Sequence, residues 1–308
     1  MTKANKGVYA AALTPVGADG EPDSKKLVRY CRWNIDQGLD GVAPLGTTGE
    51  GNSLPLRFRT DLPEAFASAN FTSNQVIFGT GSCAAGDAIE ATKASINAGF
   101  NNVLVLPPFY FKNVSDDGIF AYYARLIEGV GNNNLRIYLY HFPLMSMTPI
   151  SVSLIRSLKK EFGPIIAGLK DSSGDFAGAL DFVAASDDFD VFPSNEGVLL
   201  EAIAKGCAGI ISATTNASGF LARQTLSASG DEAEKLQETL TAVRMAISKH
   251  PLSAALKQIE AWRTGDNSWL PVFPPQVGLT KEQAEELRSD LEKLEPLSGV
   301  LGQGRNAA

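Results

Sequence analysis

Eight short runs of apolar and β-branched residues recur along the chain, at 7–15, 41–46, 76–81, 102–108, 136–143, 166–173, 190–196 and 208–216. Their starts lie about thirty residues apart, the rhythm of βα units. They do not alternate strictly between apolar and polar positions, so they read as strands buried on both faces, as in a parallel sheet. Between them lie segments with apolar residues at helical spacing, among them 24–37, 87–98, 118–130 and 150–161. Eight such units before residue 230 predict an α/β fold of the (β/α)8 TIM-barrel type. A doubly wound sheet is the alternative, and the count of eight favours the barrel.

After Gly230 the pattern turns purely helical. One helix is predicted over 231–249, stopping near Pro251, and a second over 252–263. Thr280-Lys281-Glu282-Gln283 forms a capping box that opens a third, running to Leu294. The Pro-rich stretch 270–275 links them, and the tail from Ser298 reads as a frayed end. The expected organisation is a catalytic barrel over 1–230 followed by a C-terminal helical extension over 231–308.

A length of 308 residues suits one such barrel with an appendage. The net charge of −7, with no cluster of Lys and Arg, argues against a nucleic-acid partner, because a phosphate backbone demands clustered cations. No run approaches the roughly 18 apolar residues of a membrane span, and the first residues carry no long apolar leader. No membrane partner is therefore expected. Cys31, Cys83 and Cys207 are odd in number and far apart, which opposes a disulfide framework and fits a reducing cytoplasm.

In a barrel of this kind the chemistry sits at the C-terminal ends of the strands. The second run ends in Gly46-Thr47-Thr48-Gly49-Glu50, the fourth in Pro107-Pro108-Phe109-Tyr110 and the fifth in Tyr140-His141-Phe142-Pro143. The sixth ends in Gly168-Leu169-Lys170-Asp171-Ser172-Ser173, the seventh in Ser194-Asn195-Glu196 and the eighth in Ser212-Ala213-Thr214-Thr215-Asn216. Lys170 is the most informative of these, because a lysine is rarely buried without a reason. In an apolar setting an ammonium loses solvation, and the amine becomes available as a nucleophile. A lysine paired with Asp171 at the strand end is the ordinary alternative. Tyr140, one strand earlier, offers a phenol for proton transfer beside an imine, or is an ordinary half-buried aromatic. Thr47 and Thr48 stand between glycines that would let the backbone approach a small ligand; a plain turn is the alternative.

Other chemistries find little support. The Lys-Ser/Thr of a phosphate loop is missing after the Gly-Thr-Thr-Gly stretch, and Gly79-Thr80-Gly81 lacks the third glycine of a dinucleotide fingerprint. His141 and His250 are the only histidines, without a metal-ligand spacing. Strand alternation turns His141 away from Tyr140, toward a packing role.

Together, Gly46-Thr47-Thr48-Gly49-Glu50, Tyr140-x-x-Pro143 and Gly168-x-Lys170, in this order and each at a predicted strand end, resemble the dihydrodipicolinate synthase / N-acetylneuraminate lyase family. The resemblance spans nearly the whole chain. It implies a class I aldolase on a (β/α)8 barrel, needing no metal or organic cofactor, assembled as a homotetramer, with pyruvate or another 2-keto acid as substrate. It assigns Lys170 to the Schiff base, Tyr140 to proton shuttling, Thr47 and Thr48 to the keto-acid carboxylate and proton relay, and Tyr110 to a neighbouring subunit's site across a two-fold interface.

The chain departs from the family's synthase branch at Met145, where an arginine grips the aldehyde's carboxylate, and at His141, where an asparagine is usual. Ser194-Asn195-Glu196 replaces the Tyr-Asp-Glu-like triplet of the sialic-acid branch. Lys170-Asp171-Ser172-Ser173-Gly174-Asp175 is closer to the keto-deoxy sugar acid and hydroxy-oxoglutarate aldolases. The expected reaction is therefore cleavage of a 2-keto-3-deoxy sugar acid, or a related 4-hydroxy-2-keto acid, to pyruvate and an aldehyde. Ser172, Ser194, Asn195, Glu196, Ile211 and Thr214 are the expected binding positions for the aldehyde part. The alternatives are 4-hydroxy-tetrahydrodipicolinate synthesis, a dehydratase using the same imine, and a keto-acid sensor on an inactive scaffold.

Overall fold

Each apolar run supplies one strand in a computed structural model that describes residues 6–294. The strands are β1 (Gly7–Ala10), β2 (Gly41–Val42), β3 (Phe78–Gly79), β4 (Asn102–Val105), β5 (Arg136–His141), β6 (Ile166–Asp171), β7 (Asp190–Pro193) and β8 (Gly209–Ser212). The helices alternate with them as α1 (Ser24–Asp36), α2 (Leu56–Ser68), α3 (Ala85–Asn97), α4 (Asp116–Val130), α5 (Pro143–Ser146), α6 (Val152–Phe162), α7 (Phe176–Val183), α8 (Leu199–Ala204) and α9 (Thr215–Ser227). Then follow α10 (Gly230–Ser248), α11 (Leu252–Thr264) and α12 (Lys281–Glu292) without intervening strands. The tail from Ser298 lies outside the described residues.

The strands order as β2-β1-β8 and β3-β4-β5-β6-β7, and the Ala208 N–H donates to Val191 O on β7 at 2.9 Å. The pairs from β3 to β7 and the pair β1–β2 are parallel. Sequential parallel strands, with the eighth beside the first, make the (β/α)8 barrel topology that the count of runs predicts. No helix among the described residues is long and apolar enough to cross a membrane.

Strands are shorter than the runs that announce them, because the last residues of each run leave the ladder for the loops. The clearest case is the eighth run, which turns helical at Thr215. There the Thr215 hydroxyl donates to Tyr9 O and Ser212 O, and the Asn216 amide donates to Ala11 O and Ala213 O. Polar side chains that read as a strand end instead tie a helix start to the backbone. Helix α2 gave no distinct signal and carries Pro63 in its interior, where a proline usually argues for a break.

The chain clusters into two units. One comprises Pro55–Asn195 and Glu201–Ile211, with the first described residues through Gly7; the other comprises Val8–Leu54, Glu196–Leu200 and the described residues from Ser212 on. In the first unit the core is aliphatic and aromatic. Val103, Val105, Ile137, Leu139, Ile166, Leu169 and Val191 from the strands meet Tyr123, Leu126, Leu154, Ile155 and Leu158 from α4 and α6. Side-chain caps set the helix starts: Ser115 accepts from Gly118 N–H, Ser151 from Leu154 N–H and Asp175 from Gly178 N–H. In the second unit α10 packs on α9 and α12, and Tyr30 of α1 packs on Trp269 with ring centroids 4.8 Å apart. The capping box at Thr280 and Gln283 forms as predicted.

Asp190, at the start of β7, is partly buried, and burial pushes its carboxyl up to about 6, with Lys6 and Lys159 pulling it back. A carboxyl whose folded value lies above the unfolded value of about 3.9 costs stability once ionised. That cost is absent well below the unfolded value, still small at about pH 4, grows as pH rises, and is complete beyond the folded value. Asp190→Asn is therefore expected to stabilise the protein by about 1–2 kcal/mol at about pH 8, allowing for partial solvent screening, and by much less at about pH 4. Thermal melts of both proteins at the two pH values check this; an equal gain at both would assign the effect to packing.

Candidate active site

The register of the β5–β6 pair sets the centre of the site in the first unit. Tyr140 lies opposite Lys170, and His141 lies opposite Asp171. Because side chains alternate along a strand, Tyr140 and Lys170 share one face while His141 and Asp171 share the other. Lys170 Nζ donates to the Tyr140 hydroxyl at 3.2 Å and lies 4.4 Å from the centroid of its ring. Lys170 is only 3% exposed. Gly168, two residues earlier on the same face, is required by crowding: a Cβ there would come within 2.1 Å of Asp190 O and 2.9 Å of the Tyr138 ring. That is a packing reason for the glycine of the Gly-x-Lys motif.

Asp171 does not act as the ordinary partner of Lys170. Its carboxylate accepts from the Ser173 N–H at 2.9 Å and the Ser173 hydroxyl at 3.0 Å. Burial raises its carboxyl above the usual value, while the Ser173 hydrogen bonds and His141 hold it down. His141 takes the packing role that alternation predicts: Nδ1 accepts the Ile150 N–H at 3.0 Å, and the ring sits 5.1 Å from that of Phe182. Burial lowers its basicity, and Asp171 opposes that shift.

Beyond the strand ends the backbone ladder continues. The Ser172 N–H donates to His141 O and the Ser194 N–H to Asp171 O, both at 2.8 Å. Ser172 and Ile211 are buried, while Ser194 and Asn195 are half-buried. Tyr110 stands 74% exposed in the loop after β4, edge-on to Phe111. The loops after β4 and β5 are tied together: Lys112 Nζ donates to Phe109 O and Ser146 O, and the Thr148 hydroxyl donates to Pro108 O. Leu144, Met145 and Met147 on the second loop are exposed as well.

In the second unit, Thr47 and Thr48 lie in a tightly wound turn. The Glu50 N–H donates to Thr47 O at 3.0 Å, the Gly51 N–H to Gly46 O at 3.1 Å, and the Thr14 hydroxyl to Gly49 O at 2.7 Å. Leu45 and Glu50 take the left-handed conformation, with φ of 64° and 57°. A Cβ on Gly51 would fall 2.0 Å from Leu45 O. This glycine lets the turn fold against its own backbone.

Glu196 and Thr214 come together, but with each other. Glu196 is 0% exposed. Oε2 accepts from the Ser212 hydroxyl at 2.6 Å and from Arg244 Nη1 of α10 at 2.9 Å; Oε1 accepts from the hydroxyls of Thr214 and Ser218. Arg244 Nη1 also donates to the Ser212 and Thr214 hydroxyls, each at 3.2 Å. Both carboxylate oxygens are thus engaged inside the protein. Sequence reasoning missed Arg244, and it missed the buried pair of Glu50 with Lys257 of α11, whose Nζ and Oε1 lie 2.5 Å apart. The available signal was composition: α11 is buried nearly all round, so a lysine within it requires a partner. Among the described residues, no group of three His, Cys, Asp or Glu could hold a metal ion.

With this geometry in place, the likeness to known proteins is specific. A family model for the dihydrodipicolinate synthetase family matches residues 4–294. An uncharacterized DapA-like lyase of Chloroflexus aurantiacus is 34% identical over 292 residues, covering 94% of this chain and 97% of that protein. The structure of dihydrodipicolinate synthase from Agrobacterium tumefaciens superposes with a TM-score of 0.85 at 30% identity, covering 94% of this chain and 99% of that one. A variant of Sulfolobus solfataricus 2-keto-3-deoxygluconate aldolase reaches a TM-score of 0.84 at 22% identity, over 96% and 98% of the two chains, a likeness of fold. The chain belongs to the dihydrodipicolinate synthetase family.

Proposed function

We propose that this enzyme is a class I aldolase that joins Lys170 to a 2-keto acid as an imine and cleaves a 2-keto-3-deoxy sugar acid, or a related 4-hydroxy-2-keto acid, to pyruvate and an aldehyde. The observation that carries the reading is the buried Lys170 amine within 3.2 Å of the Tyr140 hydroxyl. The unprotonated amine attacks C2, and the carbinolamine loses water with Tyr140 moving the proton. The resulting iminium takes up the electron pair of the C3–C4 bond as it breaks, so the aldehyde leaves and an enamine remains. The proton of the C4 hydroxyl passes to the Tyr140 oxygen. The enamine regains a proton at C3, and water hydrolyses the imine to free pyruvate and the amine. The family resemblance assigns the keto-acid carboxylate to Thr47 and Thr48, whose hydroxyls are suitable donors.

Substrate choice follows from charge. Met145 offers no donor and no charge where the synthases carry an arginine. The Glu196 carboxylate is occupied by Arg244 and three hydroxyls, so Ser172, Ser194 and Asn195 are the polar groups assigned to the aldehyde part, with Ile211 as an apolar wall. The second reading is 4-hydroxy-tetrahydrodipicolinate synthesis, favoured by the names of relatives such as the synthase of Rhizobium meliloti, 31% identical over 251 residues. A homo-oligomer, a homotetramer by the resemblance, belongs to the same proposal. It is supported by the exposed Tyr110, Phe111, Leu144, Met145 and Met147 on two joined loops, since monomers rarely expose such a patch without a partner. Three free cysteines fit a place in the cytoplasm.

Incubation with pyruvate and borohydride is expected to label Lys170 as a reduced secondary amine, read by peptide mapping. Tyr140→Phe is expected to keep the fold and lose about 10²–10⁴ in turnover, the range for a lost acid–base group. Label elsewhere, or wild-type kinetics in the Tyr140 variant, would refute the assigned roles. Cleavage of 2-keto-3-deoxygluconate and its relatives should exceed, in kcat/KM, the condensation of pyruvate with aspartate semialdehyde. A missing charged hydrogen bond costs about 1.5–3 kcal/mol, roughly tenfold to a hundredfold. A tenfold preference in the other direction would make the chain a synthase that grips its aldehyde from another position. Light scattering at micromolar concentration should give an oligomer; a monomer contradicts the role of Tyr110.

A further inference from the structure

We propose that Lys257 is a positioning residue for keto-acid binding: through Glu50 it holds the Thr47-Thr48 turn in its carboxylate-binding shape. The inference rests on the aldolase reading of that turn. Lys257 lies in α11, far along the chain from the turn, and is fully buried. Its Nζ pairs with Glu50 Oε1 at 2.5 Å and donates to Pro271 O at 2.9 Å. Glu50 Oε2 accepts the Phe273 N–H at 2.6 Å. One turn before Lys257 on the same helix, the Ser253 hydroxyl donates to Thr48 O at 3.1 Å. The turn is thus gripped at two points, once on the backbone of Thr48 and once on the side chain two residues later.

The grip has a local consequence. Glu50 is a non-glycine residue in the left-handed region, a conformation that L residues avoid and that persists only where the surroundings over-determine it. Lys257 and the Phe273 N–H hold the carboxylate of this residue in place and so support that conformation. The Glu50 N–H bonds to Thr47 O and the Ser53 N–H to Glu50 O, so a change at Glu50 is felt on both sides of it. Burial lowers the basicity of Lys257 and Glu50 raises it, as expected for an ammonium that depends on one carboxylate. Removing either charge alone leaves the other buried and unpaired, so single variants risk misfolding. The paired variant Lys257→Met/Glu50→Gln removes both charges at similar volume, and Lys257→Arg keeps the charge.

The test is borohydride trapping at graded concentrations of pyruvate and of methyl pyruvate, its uncharged ester, with thermal melts alongside. In the paired variant the half-saturating pyruvate concentration is expected to rise at least tenfold, while that for methyl pyruvate stays within about twofold and the labelled fraction at saturation is kept, because the lost function is the grip on a carboxylate. Ser253→Ala should give a smaller shift of the same kind, and Lys257→Arg should lie between wild type and the paired variant. Unchanged half-saturation with only a lower melting temperature or a lower labelled fraction overturns the proposal and leaves Lys257 as a fold-stabilising residue. An equal rise for both ligands also overturns it. Absence of label at Lys170 in the wild-type protein defeats the aldolase reading, and this inference with it.

Discussion

The candidate site turns on a lysine amine buried beside a phenol, and parallel-strand register is what holds the two together. A register slip of one residue between β5 and β6 would exchange faces and set Asp171 where Lys170 now stands. The sequence guards against it at Gly168. On one face Gly168 leaves room for the Tyr138 ring and the neighbouring strand's Asp190 carbonyl. On the other, Asp171 and His141 are anchored within their own segments, by Ser173 and by the Ile150 N–H.

Charge is handled differently in the second unit. Two acids that follow strand ends, Glu50 and Glu196, are buried and matched by bases from the C-terminal helices, Lys257 of α11 and Arg244 of α10. Desolvation consumes much of what such a pair gains, so neither pair counts as strong evidence for added stability. Both acids sit beside threonines: Glu50 two residues after Thr48, and Glu196 directly against the Thr214 hydroxyl. The helical extension that looks like an appendage in the sequence is therefore part of what fixes hydroxyl-bearing turns.

How much of this could be read from residues alone varied with the range of the interaction. The eight runs marked the strands because burial on both faces leaves a local signature of apolar, β-branched residues. Their ends were misread wherever a side chain bonded to a distant backbone carbonyl, as Thr215 does to Tyr9 and Asn216 to Ala11. The alternation rule separated Tyr140 and Lys170 from His141 correctly, and applied to Asp171 it would also have removed that residue as the lysine's partner. Lys257, by contrast, is marked only by the apolar helix around it, and its partner carboxylate is brought near only by the folded chain.

The same distinction bears on selectivity. A free carboxylate among the groups assigned to the aldehyde would favour cationic or metal-bound substrates and repel acids. Here the Glu196 charge is cancelled within its own network, and Met145 adds none. Under the proposed aldolase reading, discrimination is assigned to neutral donors and acceptors such as Ser172, Ser194 and Asn195. A site built to hydrogen-bond a hydroxyl rejects an analogue lacking it by up to about 10⁴–10⁵, because its own buried polar groups are left unpaired, whereas an apolar pocket separates homologues by only about 10–200-fold. Recognition by neutral groups is therefore no weaker a filter than recognition by charge. Under the proposed reading it would select for the pattern of hydroxyls along the aldehyde, a property in which polyhydroxy acids differ and semialdehydes do not.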